Sequence, residues 1–500
     1  MVSPTLAIAR ATSLSWKNAL RRVWERAPAM AALGAVLTLS IPALLVFMQL
    51  QSALPILSQV SVEALGPGIL VRIGQVSLVG VASVAWGAAL LMDLAGVVPA
   101  PILAVAATRG ISPLRRATGS SLPVIVPAVV VAVLIAGPLA VAFLVRVLQE
   151  SGSSGGSYLV VLSCLGIVGA ALAGASVPLL IRGCAQRLLG RHVPDLVIKM
   201  VAGSASALVL IWGLSALLFG HQAGAYLVVP PLVLSQGIPQ SVPELIIFLL
   251  GVSVCVVGAV GALAVSSNAA GQLAGGVALL VRRRRSGLLW TSVVRGLRDP
   301  MCLTSASVCV VGVLTMRVVA WSNDQDPTEQ GGLILLLLTG VASLSGTAVA
   351  WQWCTDAWSS RVRSGGLAKS FLYIPLAVCA TGLTAVAATR LASGFPFVLE
   401  MDSTIFATAL AGCMLACAGT LVVAATSGPQ QRSTLVIGDL VGGAVLFLAY
   451  LGIDKVSGDK SWGVGVSLWL AVATIALGVA YLLRVVRWPE VLAGAPPRGQ

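Results

Sequence analysis

Few side chains in this chain are of a type and placement that could do chemistry. Asp93 and Asp439 stand inside otherwise apolar runs, where a charge is expensive and usually faces a cavity or a partner. Such acids suit proton or cation coupling. Both lie near one end of their runs, however, where water could solvate them, and neither has an evident cationic partner nearby in sequence. The two histidines, His192 and His221, fall in separate loops that the topology below puts on opposite sides of a membrane. The nine cysteines form no C-x-x-C pair, and Cys413 and Cys417, one helical turn apart, read as small packing residues. GGLAKS, at residues 365–370, lacks the spacing that lets backbone amides cradle phosphate, and no HExxH or GxSxG occurs. Acyl, phosphoryl and metal chemistry therefore find no constellation, and the expectation is a chain that is not an enzyme and holds no metal.

The elements that must position these residues are set by composition. The 500 residues are 58% hydrophobic and only 10% charged, with a mean hydropathy of +0.98. Soluble domains carry about 25% charged residues. Apolar runs of about 20 residues, enough to cross a bilayer, number twelve: 29–50, 73–98, 123–145, 158–181, 200–220, 244–267, 301–320, 332–353, 371–391, 404–425, 434–453 and 461–483. The expected fold is all-α, a polytopic membrane protein. The intervals leave no room for a soluble catalytic or ATPase domain.

A net charge of +14 would suit nucleic acid, but its placement suits a membrane instead. With the N-terminus inside, 25 of the Lys and Arg residues fall on the inner side and six on the outer: Arg72, Arg146, Arg317, Arg390, Lys455 and Lys460. Most acids fall outside, among them Glu63, Glu150, Glu244, Asp324 and Glu400. This obeys the positive-inside rule and puts both termini in the cytoplasm, with no nucleic-acid partner and with anionic lipid as the basic charge's counterpart. The first 28 residues show no cleavable signal.

The chain starts twice. Residues 14–27 place Trp16, Leu20, Val23, Trp24 and Ala27 on one face, with Lys17, Arg21, Arg22 and Arg26 polar. Residues 288–299, after four arginines at 282–285, place Trp290, Val293, Val294 and Leu297 on one face, flanked by Arg295 and Arg298. Both read as helices lying in the inner leaflet, and each leads into an apolar run. The organisation is then an interfacial helix (1–28), a six-helix half (29–270), a basic linker with the second interfacial helix (271–300), a second six-helix half (301–485) and a cytoplasmic tail (486–500).

Each half carries a basic inner loop after its second span. In the first, Ser112-Pro113 is a helix-start signal that puts Leu114, Arg115 and Arg116 on a short helix. Glycine repeats at 166, 169 and 174, and at 438, 442 and 443, predict close helix packing. Residues 220–244, apolar with four prolines, read as re-entrant or lying at the outer interface.

This layout resembles a type-2 ABC transporter permease in its twelve-span exporter form, with both halves on one chain. The resemblance covers nearly the whole chain and rests on layout and short segments: the paired interfacial helices, the VVRGLRDP phrase, and the basic loops at 110–121 and 358–370. The second half has no counterpart of the proline-rich outer segment at 226–244, which such permeases often carry before the sixth span.

The resemblance implies an exporter subunit in the plasma membrane, moving an apolar or amphipathic cargo. A separate cytoplasmic ATPase, two copies per chain, would consume the ATP, and this chain would bind no cofactor. ATPase coupling would fall to Arg109, Leu114, Arg115 and Arg116 in the first half and Arg361, Arg363 and Lys369 in the second. The alternative is an ion-coupled secondary transporter, which also often has twelve spans in repeats and would use acids such as Asp93. A lipid-modifying or scaffold protein is the third class, with Glu400 and Asp402 as its weak outer-face candidates. The Ala-, Gly-, Val- and Arg-rich composition points to a high-GC bacterial source.

Overall fold

The computed structural model describes residues 3–26, 67–94, 100–138, 140–141, 156–189, 195–218, 241–267 and 300–322, with positions 293–294, 380–381, 383–384, 386–388, 391 and 413. Among the described residues all regular structure is helical and no strand occurs. In chain order the helices are α1 Pro4–Arg26, α2 Pro67–Leu94, α3 Ala100–Thr108, α4 Pro113–Ile135, α5 Gly156–Leu189, α6 Asp195–Leu218, α7 Val242–Ser267 and α8 Pro300–Ser322. The expected spans 29–50 and 332 onwards lie outside the described residues, isolated positions apart.

Helix starts follow local chemistry. Ser3 caps α1, its Oγ accepting the Leu6 N–H at 3.3 Å, with Pro4 at the first helical position where no N–H is missed. Ser112 and Pro113 repeat that sequence at α4, with no capping bond from the Ser112 side chain. Ser241 and Glu244 begin α7 with a capping-box sequence, the Glu244 N–H pointing at Ser241 Oγ and the acid sitting in the first turn, where the helix dipole favours it. Between α3 and α4 the chain turns on Gly110, whose φ of +68° only glycine adopts cheaply. The Ile111 N–H reaches the Ala106 carbonyl at 3.2 Å and the Gly110 N–H reaches the Ala107 carbonyl at 3.1 Å, the paired bonds of a Schellman stop.

The chain divides into two compact units, one of Met1–Ser13 and Ser40–Val277, the other of Leu14–Leu39 and Ala278–Gln500. In the first unit α5 is the central helix and packs against α2, α4, α6 and α7. Its inner faces are lined by alanine and glycine. A Cβ on Gly174 would fall on the backbone of Ala82 in α2, and one on Gly169 would meet the ring of Phe248 in α7. Small residues therefore bring these backbones together, as the glycine spacing predicts. Trp86, Leu78, Val79 and Phe248 fill the space around that crossing.

The outward faces are apolar too. Val126, Val130 and Leu134 of α4, Val161, Leu165 and Val168 of α5, and Ile246, Leu250, Val254 and Val257 of α7 are all exposed. In water such stripes would be an aggregation hazard; in lipid they are the solvated surface. Among the described residues three helices, at Pro113–Ile135, Val161–Leu189 and Val242–Ser266, are long and apolar enough to cross a membrane. This is the construction of a helical membrane protein.

Boundaries differ from the sequence expectation at three places. The first interfacial helix begins at Pro4, ten residues before Leu14. The third apolar helix begins at Pro113 rather than 123 and runs to Ile135, with residues 137–138 and 140–141 helical beyond a turn at Ala136. The short helix expected around Leu114 is therefore continuous with it, and Pro123 and Pro127 lie inside. The fourth runs to Leu189, eight residues past its apolar run. At 34 residues α5 is about 50 Å long, well over the ~30 Å of a hydrocarbon core, so a basic end projects beyond it. In the second unit α8 begins at Pro300 as expected and buries Cys309 and Val313 while exposing Arg317.

Candidate functional site

The turn between α3 and α4 is basic and exposed. Arg109, Leu114 and Arg115 are exposed, and Leu114 is 56% accessible despite being apolar. On the opposite face of the same turns Ala117, Gly119 and Ser121 are buried. The start of α1 lies against that face. A Cβ on Gly119 would stand 2.8 Å from Ile8 Cβ and 3.0 Å from the Thr5 carbonyl oxygen, and Ile8 itself is buried. Thr5, Ile8 and Thr12 form one helical stripe, and Thr12 closes it by donating to the Ile8 carbonyl.

Arg116 departs from its neighbours. It is half-buried, and its Nε is enclosed without a hydrogen-bond partner. Of the four residues expected to couple in this loop, three are therefore presented outward and the fourth is partly a packing residue. The corresponding Arg361, Arg363 and Lys369 lie outside the described residues.

On α1 Trp16 is half-buried and Trp24 is 56% exposed. Arg21 donates to Glu25 at 2.6 Å, one turn along, with both side chains largely exposed, so the pair adds little stability. Exposed Leu6 and Leu14 extend the apolar surface of this helix toward its start. Trp290, Arg295 and Arg298 of the second interfacial helix lie outside the described residues, although Val293 between them is buried.

Asp93 has a partner that sequence reasoning missed. It is 9% exposed in the last turn of α2, and Arg182 of α5, 89 positions later, donates to it through a terminal guanidinium nitrogen. The expectation of an acid without a cation is corrected. Arg182 falls just past the expected fourth span, 158–181, and α5 continues through it as helix and holds it opposite α2. The available signal was topological: opposite charges at the same end of the second and fourth spans. Asp439 lies outside the described residues.

One turn beyond Arg182 on α5, Gln186 accepts a hydrogen bond from Ser266 of α7 at 2.9 Å. The C-terminal ends of α2, α5 and α7 thus meet at one end of the bundle. Parallel second, fourth and sixth spans are what alternating crossings require. Between the two polar residues, Gly183 brings α7 close, with a Cβ there meeting the backbone of Ala262 at 2.7 Å.

Among the described residues no cluster of three His, Cys, Asp or Glu side chains could hold a metal ion. His192 and His221 lie outside them. What the arrangement offers is mechanical: an exposed basic turn fused to a long apolar helix, and a buried ion pair at the end of a tightly packed bundle. No protein-family model, no curated protein and no solved structure matches this chain.

Proposed function

We propose that the chain is the membrane-spanning permease subunit of an ATP-driven exporter, working with a separate cytoplasmic ATPase and moving an apolar or amphipathic cargo. One observation carries the reading: exposed Leu114 and Arg115 lie in the first turn of α4, a helix of membrane-spanning length, just after the Gly110 turn that presents Arg109. Pro123 and Pro127, each removing a backbone hydrogen bond, are where α4 can bend, so a push on that turn moves the start of the helix. The packing of α1 against Gly119 stiffens the same point. The twofold layout of the sequence, with interfacial helices at both starts and a basic loop in each half, supports one chain supplying both halves, hence one permease for two ATPase copies.

The direct test is the native mass of the complex purified from its source membranes through a tag on this chain. One copy with two copies of an ATPase is expected. Two copies of this chain in the complex would end the fused-halves reading.

The Asp93–Arg182 pair favours a second reading, ion-coupled efflux, since buried acid–cation pairs serve such transporters. Its position in the last turn of α2, rather than at mid-span, supports the exporter over it.

A further inference from the structure

Ser83 and Ser176 inside the bundle donate to carbonyls three or four residues earlier on their own helices. At the C-terminal ends of α2, α5 and α7 bonds also reach across, although the Ser266 hydroxyl stands 2.9 Å from the Leu263 carbonyl of its own helix as well and shares its one proton between the two acceptors. Arg182 and Gln186 stand one turn apart on α5, hence on one face, and each reaches a different neighbour: Asp93 on α2 and Ser266 on α7. The contacts above them, around Gly169 and Gly174, are close but apolar and carry no direction.

The ion pair is also incompletely satisfied. Arg182 gives Asp93 one terminal nitrogen, its Nε is enclosed without a partner, and about a quarter of its side chain remains accessible (26%). A buried pair that serves only as a staple is worth little unless its remaining donors are satisfied. A pair at the margin of the bundle regains solvation when it separates, so it opens at modest cost.

We infer that Asp93–Arg182 together with Gln186–Ser266 is a latch that holds the ends of α2, α5 and α7 closed and is released when that end of the bundle opens. The inference rests on the reading of this chain as a transporter and adds the point at which its bundle parts. Gly183 is the hinge side of the latch, where α7 lies too close to α5 for any side chain to intervene. Ala185, Ile198 and Ala202 keep α6 on α5 beside it through apolar contact, which no loss of a charge would release.

Amide hydrogen exchange of the full chain in lipid nanodiscs tests this without ATPase or cargo. In Asp93→Asn, exchange over residues 90–94 and 182–189 is expected to rise about tenfold, with residues 170–174 unchanged, because local opening sets the rate. Ser266→Ala, which introduces no unpaired charge, should speed residues 262–267 and 182–189 alone. Asp93→Leu combined with Arg182→Leu should exchange no faster than the unaltered chain, since an apolar pair closes the end without a bond to break. Unchanged exchange at 90–94 and 182–189 in both single variants would overturn the latch, as would an equal rise along all four helices. Transport without ATP would end the exporter reading and leave these outcomes as they stand.

Discussion

Arg182, in the part of α5 that projects past its apolar run, donates to the carboxylate of Asp93 in the last turn of α2, joining two helices 89 residues apart in sequence. Removing one partner leaves the other charge unpaired at the part-buried margin of the bundle, whereas removing both need not cost stability. Asp93→Ala is therefore expected to lower unfolding stability by about 1–3 kcal/mol, and Asp93→Leu with Arg182→Leu by under about 1 kcal/mol. Denaturant unfolding in detergent micelles measures both. Equal losses in the single and the double variant would contradict a paired charge.

Gly174 and Gly87 make a controlled comparison on two helices that touch. A Cβ at Gly174 meets backbone at Ala82, which cannot rotate away, whereas nothing lies within 4 Å of one at Gly87. Gly174→Ala should cost about 1–3 kcal/mol by forcing α2 and α5 apart. Gly87→Ala should be neutral or stabilising by about 0.5–1 kcal/mol through helix propensity. Thermal unfolding of the two variants in parallel decides it.

The coupling turn calls for a particular pair of substitutions. Because Arg116 is half-buried, reversing its charge mixes misfolding with lost docking. Arg109→Glu with Arg115→Glu changes only exposed side chains. That variant is expected to insert and fold normally while losing most ATPase co-purification. Undiminished ATPase recovery would remove this turn from the docking surface.

Cys184 reports orientation. It is exposed on the stretch of α5 between Arg182 and Gln186, at the end that the charge division assigns to the cytoplasm. A membrane-impermeant maleimide should modify it in inside-out vesicles and not on intact cells, read by mass spectrometry of its peptide. Modification on intact cells would invert the topology.

Much of the bundle was legible in the sequence, for physical reasons. Hydropathy located the helices now seen at 67–94, 195–218, 242–267 and 300–322 to within a few residues at most ends, because only helices hide backbone polarity from lipid. Glycine spacing announced the close approach of α5 to its neighbours. Hydropathy failed where helix continued past the apolar run. Arg115, Arg116, Arg182 and Arg187 lower the average without breaking the backbone, so α4 was expected to start later than it does and α5 to end sooner. Ser3-Pro4 carried the same start signal as Ser112-Pro113 and would have found the full length of α1. The Asp93–Arg182 pair had no local signature at all; it follows from packing order, which periodicity does not encode.

We propose that ATP, consumed by a separate subunit, drives this chain. Reconstituting it with its ATPase in vesicles and following fluorescent lipid and amphipathic-peptide probes measures that claim. Probe movement that needs ATP and stops when the ATPase is omitted is the expected result. Movement driven by a proton gradient, with neither ATP nor ATPase present, would contradict it.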